Sequence, residues 1–355
     1  MGKTKKRHSF MISIKMDSNS KGVSYAKKIP YMNSKSYFDA LSIKDGEILI
    51  KGDRSARPNF DEIFYNHVSI LYTQMIKSIL AYYCLSGAIC KINEINFYDD
   101  SQQLVKSIEM AEINNVNLPG RDFTALKEID FNKMDVIFDD NKKGKVFFIS
   151  LSYFIRSFCM SDSSESFEKL WKSFNAVYKE ISGEERDNDC HRYLRKDMVN
   201  SPQKYPLIAQ AVTNLTSQEI RANTRWNKMI LNDFNTKEKT KAFKCFILRN
   251  DDFRLMEICK ESLPVRADFL KSNGLYEVTN NHIEDKIKNK IVNDMHVAAT
   301  LCIKYMYYAR NKLAHGEQID SGFRLKCINK QEESMSWCAS LLMMLVIDIY
   351  NSNDL

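Results

Sequence analysis

One short string in this chain combines residue types that can move protons at a phosphate: Arg310-Asn311-Lys312-Leu313-Ala314-His315-Gly316. A histidine changes charge near neutrality, so it can take a proton from a nucleophile or return one to a leaving group. An arginine presents a planar, permanently charged fork to phosphoryl oxygens. Asn311 stands beside that fork as a neutral donor and acceptor that can orient either the histidine or the phosphate. The set suits cleavage of an RNA phosphodiester by its own 2′-hydroxyl, which needs a proton acceptor, a proton donor and a fixed cation. The plainer reading is a helix end, with Arg310 bonding the last carbonyls and His315 answering the helix dipole.

Gly316 is suited to stop a helix, which puts His315 in the last turn, where the dipole favours a protonated imidazole. Five residues advance a regular helix by about 500°, leaving Arg310 and His315 about 140° apart unless the helix unwinds near Gly316.

The elements that must position this string read as helices. Ile283, Ile287, Ile291, Met295, Ala298, Cys302 and Met306 recur at near fours, predicting one long helix, capped by Asn280 or Asn281, that runs straight to Arg310. His296 lies beside the stripe, where a structural histidine is expected. Ser161 to Glu165 leads into a second helix with Phe167, Leu170, Trp171, Phe174, Val177, Tyr178 and Ile181 on one face, closed by Gly183. Asn175 sits inside that face, either as a clamp on a neighbouring helix or as part of a site; the clamp is the expectation. Residues 251–273 read as a helix interrupted at Pro264. The last helix, from Glu332 or Glu333 to Tyr350, is apolar nearly all round from Trp337, so it should be buried in the domain or between subunits.

The first 145 residues differ. His8 to Lys15, Glu47 to Lys51 and Ile92 to Tyr98 alternate as strands do, and a single helix is predicted from Asn59 or Asp61 through Leu80, with His67 in the core. The turn-forming run from Asp139 to Gly144 marks a boundary. The expected fold is therefore mainly α, with an α+β domain over 1–145 and an all-α helical bundle over 146–355.

With 52 basic and 45 acidic residues the net charge is +7, which permits a polyanionic partner without requiring one. Lys3, Lys5, Lys6 and Arg7 read as a solvated terminus. Two helical clusters carry aromatic neighbours: Arg192, Arg195 and Lys196, then Arg221, Arg225 and Lys228 near Trp226. Arg192, Arg195, Lys196, Arg225 and Lys312 are candidate RNA contacts, set against the commoner reading of solvated helix faces. The nine cysteines include no Cys-x-x-Cys pair, and Cys190-His191 has no second pair, so neither metal nor cofactor is expected. Glu284-Asp285-Lys286 falls on a helix rather than a strand, which argues against a metal-dependent nuclease. No Gly-rich phosphate loop is present, which removes nucleotide hydrolysis. Nothing reads as a signal peptide, and the apolar stretch Trp337 to Ile349 falls short of a bilayer span, so a cytoplasmic protein without a membrane partner is expected.

The string Arg310-Asn311-Lys312-Leu313-Ala314-His315-Gly316 resembles the signature of HEPN domains: Arg, a polar residue, a few more residues, then His near the end of a long helix. Phe167 to Tyr178 resembles the early helix of some subfamilies. The resemblance covers about residues 150 to 350, with inserted helices between the two signatures. It implies an all-helical domain that acts as a two-fold dimer, each chain giving one Arg and one His to a composite cleft. It further implies metal-independent cleavage of single-stranded RNA or tRNA, leaving a 2′,3′-cyclic phosphate, in settings of microbial conflict such as toxins, abortive infection and CRISPR-linked effectors. Some relatives are inactive, which leaves an RNA-binding or protein-interaction module as the alternative. Domain order suggests that residues 1–145 sense a regulatory partner or a phage trigger.

Overall fold

The structure is a computed structural model describing residues 7–18, 20–116, 122–317, 325–326 and 329–353. Lys3, Lys5, Lys6 and Cys327 lie outside the described residues. The chain forms two compact units that divide between Ser161 and Asp162, with Asn353 joining the first. This corrects the boundary drawn at 145/146. Asn141, in the polar run, caps the helix Lys142–Phe158 by accepting from the Gly144 N–H, and this helix packs on the helix Ile70–Ser86 of the first unit. A run rich in cap residues here starts a helix rather than ending a domain.

The first unit is α+β. Its antiparallel sheet has the order β2-β3-β4-β1-β5-β6, from β1 (His8–Met16), β2 (Ser24–Pro30), β3 (Phe38–Lys44), β4 (Glu47–Arg54), β5 (Ile92–Tyr98) and β6 (Leu104–Glu109). Phe10, Ile12, Ile14, Ile48, Ile50, Leu41 and Ile43 form one buried face, and the helix Ile70–Ser86 lies against β3 and β4. The opposite face carries polar pairs such as Ser13 with Glu47 at 2.7 Å and Ser107 with Asn96 at 2.7 Å. The buried Asp39 on β3 takes a two-pronged ion pair from Arg54 at 2.8 and 2.9 Å, and Arg54 lies over the Tyr31 ring. A Cβ at Gly52 would meet Asp39 Oδ1 at 2.4 Å, so only glycine leaves room for this pair.

The helix predicted from Asn59 to Leu80 is two pieces. Asn59 caps the short helix Phe60–Ile63, and Ser69 starts Ile70–Ser86 by accepting from the Tyr72 N–H. The intervening segment turns outward, so Tyr65 is 90% exposed and His67 is exposed rather than in the core.

The second unit is helical, with no strand among its described residues. The early helix Ser163–Ser182 is capped by Asp162 and stopped by Gly183 at φ 66°. The closing helix Lys330–Asn351 packs along it, and Ser173 and Tyr350 share a hydroxyl hydrogen bond of 2.9 Å. By length and composition the closing helix could cross a bilayer, although the Trp337 to Ile349 stretch alone could not; most of it is buried, as in a core helix. Leu341, Leu342, Leu345, Val346, Ile347 and Ile349 are buried within the helical unit, whereas Trp337, Met343 and Met344 are half-buried. Its Asp348 accepts from the Leu207 and Ile208 N–H groups at 3.0 and 2.9 Å, closing the start of the helix Pro206–Thr213.

The long helix expected ahead of the motif is also two. Tyr276–Lys288 ends at Lys290, which has φ 48°, and a new helix begins at Asp294 with Asn293 as its cap. Asn280 and Asn281 lie inside the first of these. The second start is pinned by buried charge. Arg254, 3% exposed, bonds Asp252 and Asp294 at 2.8 and 2.6 Å and reaches the carbonyl oxygens of Val212 and Thr213. Asp252 also accepts the Asn293 N–H. His296 is structural: its Nδ1 accepts the Asp251 N–H at 2.8 Å.

Candidate active site

The motif is carried by one continuous helical path: Asp294–Ala299, a π-helical segment Thr300–Tyr305, then Met306–Ala314. A π segment winds more slowly than an α-helix, and over this length it turns everything after it by roughly 100°. It therefore decides which residues of the motif face which neighbours. The helix ends as the sequence predicts. Gly316 adopts φ 65°, its N–H bonds the Leu313 carbonyl, and the Glu317 N–H bonds the Lys312 carbonyl, both at 3.2 Å. This double bond pattern is the Schellman stop, and the left-handed residue suits glycine.

His315 is the last residue before that stop, exposed, with φ −93° and ψ 9°. Its N–H still bonds the Asn311 carbonyl at 3.0 Å. The helix thus stays wound up to His315, and the unwinding that could swing it toward Arg310 does not occur. The two side chains leave the helix about 140° apart. Arg310 is half-buried and donates from Nη1 to Asn311 Oδ1 at 2.9 Å. Asn311 thus orients the guanidinium rather than the histidine.

Two faces of Met306–Ala314 have contrasting surroundings. Tyr307 packs beside His191 and Trp171, with ring centroids at 4.9 and 6.1 Å, and His191 also meets Tyr178 at 5.1 Å. Burial pushes the His191 imidazole down to about 4, against a smaller upward pull from Asp187. Its Nε2 has no partner among the described residues. Asn175, on the early helix, leaves a buried Oδ1 equally unpartnered, so the expected clamp is not made. Arg310 follows Tyr307 by three residues and shares this side of the helix.

Tyr308 and Lys312 lie roughly 160° round from Arg310. With Thr224, Arg225, Lys330 and Met335 they line a cavity of about 250 Å³. The Arg225 N–H donates to the Tyr305 hydroxyl at 2.9 Å, fixing the strap between the helices Ser217–Asn223 and Trp226–Asp233. Lys312 Nζ lies 5.8 Å from the Tyr308 ring centroid and pairs with Glu317 at 2.6 Å. The structure therefore brings Arg225 and Lys312 together, as part of one cationic cleft, and sets Arg310 on the other side of the helix.

The first basic cluster does not act as a unit. Arg195 is half-buried and spends its guanidinium on the Arg249 carbonyl and Asn250 Oδ1, at 2.8 and 3.1 Å. It serves here as a structural tie. Burial holds it below the usual guanidinium range. Arg192 pairs with Asp189 at 3.3 Å, and Lys196 is exposed. Glu284 pairs with Lys260 at 2.9 Å within the helical unit. Among the described residues no group of three or more His, Cys, Asp or Glu side chains is placed to hold a metal.

Lys330, Tyr308 and Thr224 were not singled out by the sequence. They come from three segments far apart in the chain, and no local spacing announces their meeting. No family model, curated protein or solved structure matches this chain.

Proposed function

We propose that the helical unit is a metal-independent endoribonuclease of the HEPN kind, cutting single-stranded RNA or tRNA at a composite site formed by two copies. The observation that carries this reading is the end of the motif helix, where an exposed His315 is fixed by the Schellman stop and the Arg310 guanidinium is oriented by Asn311. Within one chain these two groups diverge, so a single copy offers one proton carrier and one distant cation. Two copies facing each other supply two histidines and two arginines, which is what the reaction needs, and two-fold dimers are the commonest assembly. One His315 takes the proton from the 2′-hydroxyl as its oxygen bonds phosphorus. The P–O5′ bond breaks, the other His315 protonates the departing 5′ oxygen, and Arg310 holds the charge on the phosphoryl oxygens. The products are a 2′,3′-cyclic phosphate and a free 5′-hydroxyl.

Such an activity fits an effector of toxin or abortive-infection type, with the sheet-containing unit receiving a regulatory partner or phage trigger. The test is incubation of the purified chain with labelled single-stranded RNA in EDTA, with the new ends identified chemically. A second reading, an inactive HEPN-like RNA-binding module, is favoured by one observation: the cationic cleft at Arg225 lies on the face away from Arg310. Binding without any cleavage product selects that reading.

A further inference from the structure

The cleft beside the motif helix has features of a ligand site in its own right. Arg225 lines three adjoining concavities, of about 250, 210 and 400 Å³. Its side chain, Lys228 and Lys330 are not ion-paired among the described residues, whereas nearby Lys304 is neutralised by Asp233 and Lys312 by Glu317. Unpaired cations gathered at one cleft favour an anion. Ala222, Ala309 and Met335 supply apolar wall, so the cleft suits a ligand with an uncharged body as well as charge. Two buried polar atoms here also lack partners: the Thr224 hydroxyl and the indole N–H of Trp226, a residue only 3% exposed. A buried indole N–H normally finds an acceptor, and none is provided by the described residues.

We infer that the Arg225 cleft binds a nucleotide phosphate, with Arg225 and Lys330 holding the phosphoryl oxygens and the sugar and base lying against the apolar wall. The phosphate belongs either to a strand of RNA or to a free nucleotide; the recognition chemistry is the same. This site lies on the side of the helix away from Arg310, and its test reads binding rather than cleavage, so it can fail separately from the cleavage reading.

The test titrates the full chain with each of AMP, GMP, CMP and UMP by calorimetry, and with a labelled single-stranded RNA by fluorescence anisotropy. At least one probe should bind, with affinity falling about tenfold in Arg225→Gln and in Lys330→Gln. The salt dependence of RNA binding should lose roughly 0.7 from its logarithmic slope per lysine or arginine removed. Lys241→Gln, which removes an exposed charge elsewhere in the unit, should leave binding unchanged, and circular dichroism should match the wild type throughout. Binding of a mononucleotide that competes with RNA identifies a free-nucleotide site; binding of RNA alone identifies a strand. The inference is overturned if no probe binds the wild type, or if binding is the same in Arg225→Gln and Lys330→Gln. Loss of cleavage in His315→Ala with cleft binding intact would keep the two sites distinct.

Discussion

Tyr307 and Tyr308 are neighbours in the chain and sit in opposite surroundings. Tyr307 is packed among Trp171 and the neutral, buried His191, on the side that Arg310 shares. Tyr308 borders the cations Arg225 and Lys312, and burial raises its hydroxyl pKa against their pull. One side of the helix is thus set by ring packing and the other by charge. The contrast shows that one helix can have one side fixed by ring packing while its other side borders an open, cation-lined cleft.

The broadest way to break this contrast is to remove what holds both faces. Arg254→Ala should cost about 3–5 kcal/mol, because it leaves Asp252 and Asp294 without their buried partner. Chemical denaturation measures it, and an unchanged midpoint would mean that the helix start is anchored elsewhere.

The ring-packed face can be tested through His191. A histidine held near 4 when folded and near its ordinary value of 6.5 when unfolded binds fewer protons in the native state between those values. Its contribution is complete above about 6.5 and is lost as pH falls toward 4. Relative to His191→Phe, the wild type should lose up to about 3 kcal/mol over that window, read from denaturation midpoints at each pH. A parallel pH dependence in the two proteins would contradict the buried neutral imidazole.

Asp348 should give the opposite slope. Burial pushes its carboxyl up to about 6 despite the bonds from Ile208 and Leu207, so the folded state binds more protons than the unfolded between the ordinary value of 3.8 and 6. Stability relative to Asp348→Asn should therefore fall as pH rises through that window, by up to about 3 kcal/mol. Conversion to Asn also keeps an acceptor for only one of the two N–H groups, at a cost of about 1 kcal/mol at any pH.

Much of this architecture was legible in the sequence where one physical signal dominates. Gly316 and Gly183 were readable as stops because a left-handed residue favours glycine. β1 and β4 alternate because one face is buried, and β5 does so only from Ile95 to Phe97, past an irregularity in its pairing at Ile92. β2 and β6 gave no such pattern because they are edge strands, each with a single buried residue, Ile29 and Ile108. β3 hid behind Asp39, a carboxylate on the core face that is tolerated only because Arg54 pairs with it. The helix break at Lys290 was masked by phase: Ile283, Ile287 and Ile291 happen to continue the spacing of Met295 and Ala298. The helical stop and the Arg310–Asn311 pairing were within reach of local reasoning. The cleft was not, since Arg225, Lys312 and Lys330 meet only through tertiary packing.

The most direct test of the account is cleavage of a labelled single-stranded RNA by the full chain in EDTA, comparing wild type, Arg310→Ala and His315→Ala at matched folding. The account predicts cleavage by the wild type to 2′,3′-cyclic phosphate ends and a loss of roughly a thousandfold or more in each variant. Equal cleavage by all three proteins, or cleavage that appears only when a divalent ion is added, would contradict it.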